Sequence, residues 1–402
     1  MTVCFNILNY GYFSVMIRNW NFTVRIKKTI MQTHRKHAKL NRRESGYYAP
    51  TEIALLGTKC SAIEQLSENI AVKLSGKFRI AYADASHSSA LEPNALDSYT
   101  FHSSGDLRIR RNYKQNPYQD KLFYSSYDLV LINGNHYPGK SQVLFLDPEK
   151  EASIQKRMDQ ITDVKLVIRM SKEIRAFDCL LEKFPDFNEI PQFDFDQVEQ
   201  IALEIEKFAE QHVPTVKGLV LAGGQSLRMG TDKGLLNYFG KSQRSYTMEL
   251  LQKCNLETRL SVRKEQEVSE TQVIEDVFLG LGPFGAICSA FQNDPNAAWL
   301  VLATDLPYVD ESLIRKLISR RNPSKIATAV KGKKKEFPEP LVTIWEPKAY
   351  PIMLEFLAQG ISCPRKVLIN SDVELLETDD VYIYNVNTPQ EFDSVKRELE
   401  QE

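Results

Sequence analysis

The segment from Val216 to Lys233 constrains this chain more than any other. Val216 to Leu221 is short, apolar and bounded by Pro214 and by Gly223-Gly224, the pattern of a buried strand. A strand that runs into a glycine-rich turn leaves backbone N–H groups free to face an anion. Gly223 and Gly224 allow close approach that a Cβ would block. Ser226 adds a hydroxyl, Arg228 a planar fork suited to phosphate, and Lys233 a compact point charge. A bare Gly-Gly pair reads equally well as a tight turn with solvated basic neighbours. The preceding strand and the spacing of Arg228 and Lys233 favour a loop that holds the phosphates of a nucleotide.

The 402 residues leave room for two domains. Hydrophobic content of 43% and charge of 26% are those of an ordinary globular protein. A net charge of −1 argues against a broad nucleic-acid surface, so any anion site is local. The cysteines (Cys4, Cys60, Cys179, Cys254, Cys288 and Cys363) are scattered, with no CxxC pair. That usage points to a reducing, cytoplasmic compartment and away from a disulfide scaffold or a zinc site. No apolar stretch is long enough to span a membrane.

Met1 to Arg43 contains no Asp or Glu and carries nine Lys and Arg residues from Arg18 to Arg43. Two readings fit: a basic targeting peptide, or upstream translated sequence ahead of a true start at Met31. The lack of a signal-type apolar core favours the second. Residues 1–45 are therefore expected to be a disordered basic extension. From Gly46 an α/β rhythm begins, with strands at Glu52–Gly57, Phe78–Asp84, Tyr127–Gly134 and Val164–Ile168. Ala62–Leu74 has helical spacing, with Ile63, Leu66, Ile70, Val72 and Leu74 as its buried face, and Phe195–His212 is a second helix. Between Asp84 and Tyr127 the sequence is polar and reads as a long loop or small irregular subdomain. Val213-Pro214-Thr215 breaks the pattern and sets the boundary, giving domains 46–213 and 214–402.

The second domain repeats the rhythm. Strands are expected at Val216–Leu221, Thr258–Val262, Gln272–Ile274, Trp299–Ala303, Ile326–Val330, Leu341–Trp345 and Val381–Asn385, and helices at Glu311–Ser319 and Pro389–Leu399. The fold class is α/β, each domain a mostly parallel sheet with helices on both faces. In such sheets ligands bind at the carboxyl ends of the strands, which puts the opening loop and Asp305 on one edge. Asp305 follows the apolar run Trp299–Thr304. A carboxylate there is either a cap or structural ion pair, or a Mg²⁺ ligand of the kind that shares its metal with substrate phosphates. Asp276 precedes a second glycine-rich turn, Gly280–Gly285. It either initiates that turn, accepts hydrogen bonds from a base, or joins the metal.

Residues 216–402 resemble the molybdenum cofactor guanylyltransferase family. The resemblance is carried by LAGGQSLRMGTDKGLL (221–236), VIEDVFLGLGPFGAICSAF (273–291), VLATDLPYV (301–309) and NVNTPQEF (385–392), in the family's order. It implies a Rossmann-like nucleotidyltransferase fold. It also implies Mg²⁺-dependent transfer of GMP from GTP to molybdopterin, with release of pyrophosphate. Carried over residue by residue, Leu221, Ala222 and Gly224 meet the nucleotide, Lys233 its phosphates, Asp276 the nucleotide, and Asp305 the Mg²⁺; Gly223, Ser226 and Arg228 join this site on their own chemistry, the first two at the nucleotide and Arg228 at its phosphates. Asn385 and Asn387 fall on the pterin side, as do Arg365 and Lys366. The sequence departs from the family at Ser261-Val262-Arg263-Lys264, where an Asn-containing segment is common and Arg263 stands in its place. The run Lys331, Lys333, Lys334 and Lys335 reads as a solvated face.

Residues of about 50–170 resemble a P-loop domain, the GTP-binding adapter of the same pathway, in degenerate form. A working loop needs GxxxxGK[ST], whereas Gly57-Thr58-Lys59-Cys60-Ser61 keeps one glycine and a lysine at the wrong spacing. Asp84, His87 and His136 form either a residual polar site or structural hydrogen bonds. The resemblance implies a molybdoenzyme or its chaperone as a further partner, while the net charge and the short apolar runs point to no nucleic acid and no membrane. Two other functions fit the sequence: a related nucleotidyltransferase using CTP or a sugar-phosphate acceptor, and a non-catalytic cofactor-delivery protein.

Overall fold

The structure is a computed structural model that describes residues 39–85, 97–105, 107–110, 116–222, 233–264, 266 and 272–400, together with three short strands near the N-terminus. Those strands, β1 (Asn6–Ile7), β2 (Phe13–Ile17) and β3 (Trp20–Val24), pair antiparallel within the unit Met1–Leu40.

The second unit, Asn41–Glu402, holds two large sheets. Its first part runs β4 (Glu52–Leu56), α1 (Cys60–Leu74), β5 (Ile80–Ala83), β6 (Ser98–Phe101), β7 (Leu107–Arg110), α2 (Pro117–Tyr124), β8 (Leu129–Asn133), β9 (Ser141–Leu146), α3 (Glu151–Gln155), β10 (Val164–Arg169), α4 (Asp178–Lys183), β11 (Gln192–Asp194) and α5 (Val198–Glu210). Six strands form a sheet in the order β11-β10-β9-β4-β8-β5, every pair parallel. Parallel strands must be covered on both faces, and β4, β8 and β9 are buried throughout. Helices α1 and α5 cover one face through Ile63, Leu66, Ile70, Ile201 and Ile205. Ile154 of α3 and Leu180 of α4 pack on the other.

The expected buried face of α1 holds except at Val72, which is 76% exposed. It lies two residues beyond Ile70 and so points away from the Ile63–Leu66–Ile70–Leu74 stripe. The stretch expected to be irregular after Asp84 contains the β6–β7 hairpin and α2, whose N-cap Asn116 accepts from the backbone of Tyr118 and Gln119.

The second part runs β12 (Val216–Leu221), α6 (Gln243–Lys253), β13 (Thr258–Val262), β14 (Val273–Glu275), α7 (Pro283–Asn293), β15 (Ala298–Ala303), α8 (Glu311–Ser319), β16 (Ala327–Gly332), β17 (Glu339–Trp345), α9 (Ala349–Ala358), α10 (Pro364–Ile369), β18 (Glu374–Thr378) and α11 (Pro389–Leu399). The sheet order is β14-β13-β12-β15-β17-β16-β18. Only β17 runs against its neighbours. Leu251 of α6 and Ile314 of α8 seal one face, and Phe284 and Ile287 of α7 with Met353 of α9 and Val367 of α10 seal the other.

One expectation fails here. Val381–Asn385 is not a strand: Asp380–Ile383 forms a 3₁₀ turn, and the edge strand is β18. Within the turn Ile383 is buried in the core cluster and Tyr382 packs against it while Val381 stays exposed, and the charged sequence Glu-Leu-Leu-Glu-Thr pairs with β16.

Candidate active site

The carboxyl ends of β12, β13 and β15 coincide, because Leu221 pairs with both Ser261 and Ala303. Everything that follows these strands is delivered to one edge. Ala222 N donates to Ser261 O (3.1 Å), and Ala222 O accepts from Gln266 Nε2 (3.0 Å). Thr304 Oγ1 donates to Leu221 O (3.4 Å). The backbone of Leu221 and Ala222 is thus pinned at the mouth of the loop. Gly223, Gly224, Ser226 and Arg228 lie outside the described residues.

Lys233 opens a short 3₁₀ turn and joins two distant parts of the chain. Its Nζ donates to Asp305 Oδ2 (3.2 Å) and to Asn387 Oδ1 (2.8 Å). Asp305 sits just past β15, and its backbone O accepts from Val386 N (2.9 Å), which holds the Asn385–Asn387 loop against it. The other carboxylate oxygen, Oδ1, is buried and has no hydrogen-bond partner among the described residues. A buried orphan acceptor is costly unless something fills it, and an orphan carboxylate oxygen suits a hard cation.

The Asn385–Asn387 loop is fixed from the far side. Asn387 N and Thr388 N both donate to Glu391 Oε2 (2.7 and 3.0 Å), and Thr388 Oγ1 accepts from Glu391 N (3.3 Å). This is a capping box at the start of α11. The Asn387 N–H holds the Glu391 carboxyl below its usual range, with burial opposing. Asn387 Nδ2 donates to Asn385 O (3.3 Å), and the Asn385 side chain is exposed.

Asp276 accepts from Ser261 Oγ (2.7 Å). Burial pushes its carboxyl above the usual range against the pull of Ser261 and Arg263. Ser261, in the segment where the sequence departs from the family pattern, therefore acts as the support of Asp276. Arg365 Nη2 donates to Glu339 Oε2 (3.1 Å). Burial raises the Glu339 carboxyl, Arg365 opposes this and the Asp305 charge adds to it. Lys366 is exposed on α10, and the partner of Arg365 is Glu339 rather than a residue of the Lys233 cluster. In the basic loop, Lys333 forms an exposed pair with Asp379 (2.7 Å).

Two residues at this edge escape sequence reasoning. Glu391 looks like an ordinary helix-start carboxylate. Tyr238 reads as core, and it is core: its ring packs on Phe392 (4.8 Å between centroids) beside Val386. Yet its hydroxyl is buried with no partner among the described residues. Burial first, then the Asp305 charge, pushes the phenol above its usual range.

In the first sheet Gly57 adopts φ +102°, the left-handed turn that sends β4 into α1. Thr58 Oγ1 donates to Asp147 Oδ2 (2.7 Å), and Lys59 pairs with Glu149 (3.0 Å). His136 Nε2 lies 3.9 Å from Asp84 Oδ1; His87 lies outside the described residues. Among the described residues no helix is long and apolar enough to cross a membrane, and no group of three or more His, Cys, Asp or Glu could hold a metal.

Residues 218–374 match the family model of the MobA-like NTP transferase domain. The C-terminal half carries a MobA-like NTP transferase domain. The chain is 33% identical over 183 residues to a molybdenum cofactor biosynthesis bifunctional protein of Synechocystis sp., a match covering 44% of this chain and 53% of that one. The chain thus spans about half the length of that relative. It is 24% identical to a probable molybdenum cofactor guanylyltransferase of Flavobacterium johnsoniae, covering 46% of this chain and 98% of that one. A solved structure, molybdopterin-guanine dinucleotide biosynthesis protein A from Archaeoglobus fulgidus, is 21% identical, with a TM-score of 0.41, covering 46% of this chain and all (100%) of that one. The transferase domain holds both the Lys233–Asp305 pair and the Asp276–Ser261 pair.

Proposed function

We propose that the transferase domain moves GMP from GTP to the terminal phosphate of molybdopterin and releases pyrophosphate. One observation carries this reading: Lys233 ties Asp305 to Asn387 while Asp305 Oδ1 is buried with no hydrogen-bond partner among the described residues. A site that offers a carboxylate oxygen free of hydrogen bonds among the described residues fits Mg²⁺, which keeps few protein ligands and completes its shell with water and phosphate oxygens. Asp305 would hold it, and the metal when bound would neutralise phosphate charge.

The reaction needs in-line positioning and charge neutralisation more than covalent help. An acceptor phosphate oxygen attacks the α-phosphorus of GTP. One P–O bond forms, the bond to the β-phosphate oxygen breaks, and its electron pair leaves on pyrophosphate. The attacking oxygen is already anionic, so no strong base is required, and the sequence holds no His beyond His212. Lys233 and Arg228 offset the charge that builds on the leaving group. Leu221 and Ala222 present pinned backbone to the nucleotide, with Gly223, Gly224 and Ser226 completing the loop. Asp276, held by Ser261, faces the nucleotide. Asn387 and Asn385 orient the acceptor beside Lys233, and Arg365 and Lys366 supply charge for its phosphate.

We assign this activity to residues 214–402 and a P-loop-like supporting role to residues 46–213. The Lys59–Glu149 and Thr58–Asp147 contacts support the second assignment: both loop side chains that would serve a triphosphate are engaged within the protein. A cytoplasmic setting and a molybdoenzyme client belong to the same proposal. The test is incubation of the full chain with GTP, Mg²⁺ and the pterin, following pyrophosphate. Transfer that is lost in Asp305→Asn supports the reading, and metal-independent transfer overturns it.

A further inference from the structure

The edge of the first sheet carries a second set of reactive groups that nucleotidyl transfer does not use. β4 and β8 are parallel neighbours, with Leu55 opposite Asn133, so the loops that follow them meet. Gly134 N donates to Leu55 O (2.8 Å), and Gly57 N donates to Asn135 Oδ1 (3.3 Å). Asn135 Nδ2 returns the link to Thr58 O (2.8 Å), and Arg157 Nη2 clamps Asn135 O (2.8 Å). Two loops laced in this way hold their side chains in one arrangement.

That arrangement brings Cys60 Sγ within 3.3 Å of His136 Nε2 and within 3.7 Å of Asn135 Nδ2. Cys60 is the first residue of α1, a helix of 15 residues, so its sulfur also lies at the positive end of a helix dipole. The thiol is half-buried, hence reachable. Asn133, wholly buried at the end of β8, accepts at its Oδ1 from Asn135 N (3.1 Å), which fixes the loop that carries His136. The charged groups around the pair are Lys59, Asp84, Asp147 and Glu149, of which Lys59 and Glu149 satisfy each other.

We propose that Cys60 and His136 form a nucleophile–base pair, making this edge a modification site for soft electrophiles. Nucleophile and base within hydrogen-bond reach are the minimal requirement for such attack. The other described cysteines lack it. Burial pushes the thiols of Cys179, Cys254 and Cys288 up, the last to about 12. Cys363 is exposed on the surface and serves as the internal reference.

The probe is iodoacetamide, with each cysteine followed by peptide mass spectrometry on the full chain at neutral pH. The Cys60 sulfur displaces iodide: the S–C bond forms, the C–I bond breaks, iodide leaves with the electron pair, and the thiol proton passes to His136. Cys60 is expected to label at least about ten-fold faster than Cys363, and His136→Asn to remove that advantage. Cys60 labelling no faster than Cys363 overturns the proposal, as does undiminished labelling in a folded His136→Asn variant. The wild-type comparison stands even if that variant fails to fold.

Discussion

Asp305 is held by one carboxylate oxygen and offers the other. Oδ2 is taken by Lys233, and Oδ1 is buried with no hydrogen-bond partner among the described residues. Asp305→Asn keeps the size of the side chain and removes its charge. It is expected to lower pyrophosphate release by at least about 100-fold while thermal unfolding changes little. Normal turnover at saturating Mg²⁺ would remove Asp305 from the mechanism. Tyr238 tests the same edge from below. A buried hydroxyl with no partner costs roughly 1–3 kcal/mol, so Tyr238→Phe is expected to raise stability in urea denaturation by about 1 kcal/mol. A loss of stability would mean that the hydroxyl has a partner. Asp305 is legible in the sequence because a carboxylate after an apolar strand is conspicuous, and Asn387 because a family motif points to it. Tyr238 is not legible, since an orphan hydroxyl is a property of packing.

At the scale of elements, the Asn385–Asn387 loop depends on α11. Glu391 receives the N–H groups of Asn387 and Thr388, and those bonds hold its carboxyl below the usual range. A depressed carboxylate adds stability that is complete above its unfolded value of 4.5 and is lost as pH falls through the lower folded value. The wild type is therefore expected to lose stability between pH 5 and pH 3 more steeply than Glu391→Gln, as read by thermal melts across that window. Parallel slopes would contradict the clamp. Thr388→Ala removes the N-cap and is expected to cost about 1 kcal/mol. The elements most legible in the sequence are those with one strong period: Glu311–Ser319 and Pro389–Leu399 match the helices α8 and α11. Val381–Asn385 misleads because a few apolar residues in a row look like a strand, whether they pair or merely pack. β9 is hidden for the opposite reason. Ser141 and Gln142 dilute its apolar run, yet Gln142 is buried because it satisfies Gly139 O and the backbone N–H groups of Thr162 and Asp163.

At the scale of the whole second unit, the two sheets are joined by buried charge. Lys348, which precedes α9, donates to Asp128, which precedes β8, and also to Ser324 O (3.3 Å). Arg43 donates to Ser125 O (3.0 Å), and Glu44 N donates to Asn296 Oδ1 (2.7 Å). Burial lowers the Lys348 ammonium from its usual value, with Asp128 opposing, and brings Arg43 down to about 10. Removing one partner strands the other in a dry interface. Asp128→Ala is expected to cost about 3 kcal/mol in denaturant unfolding, and Asp128→Leu with Lys348→Met to recover most of it. A negligible cost would mean that water reaches the pair. No local period in the sequence marks Lys348 and Asp128 as partners, because they are 220 residues apart. The central claim remains chemical. The most direct measurement is to incubate the full chain with molybdopterin, Mg²⁺ and equal GTP and CTP, and to weigh the products by mass spectrometry. A guanine dinucleotide with stoichiometric pyrophosphate is expected; a cytosine dinucleotide as the main product, or no transfer at all, would contradict the proposed guanylyl transfer.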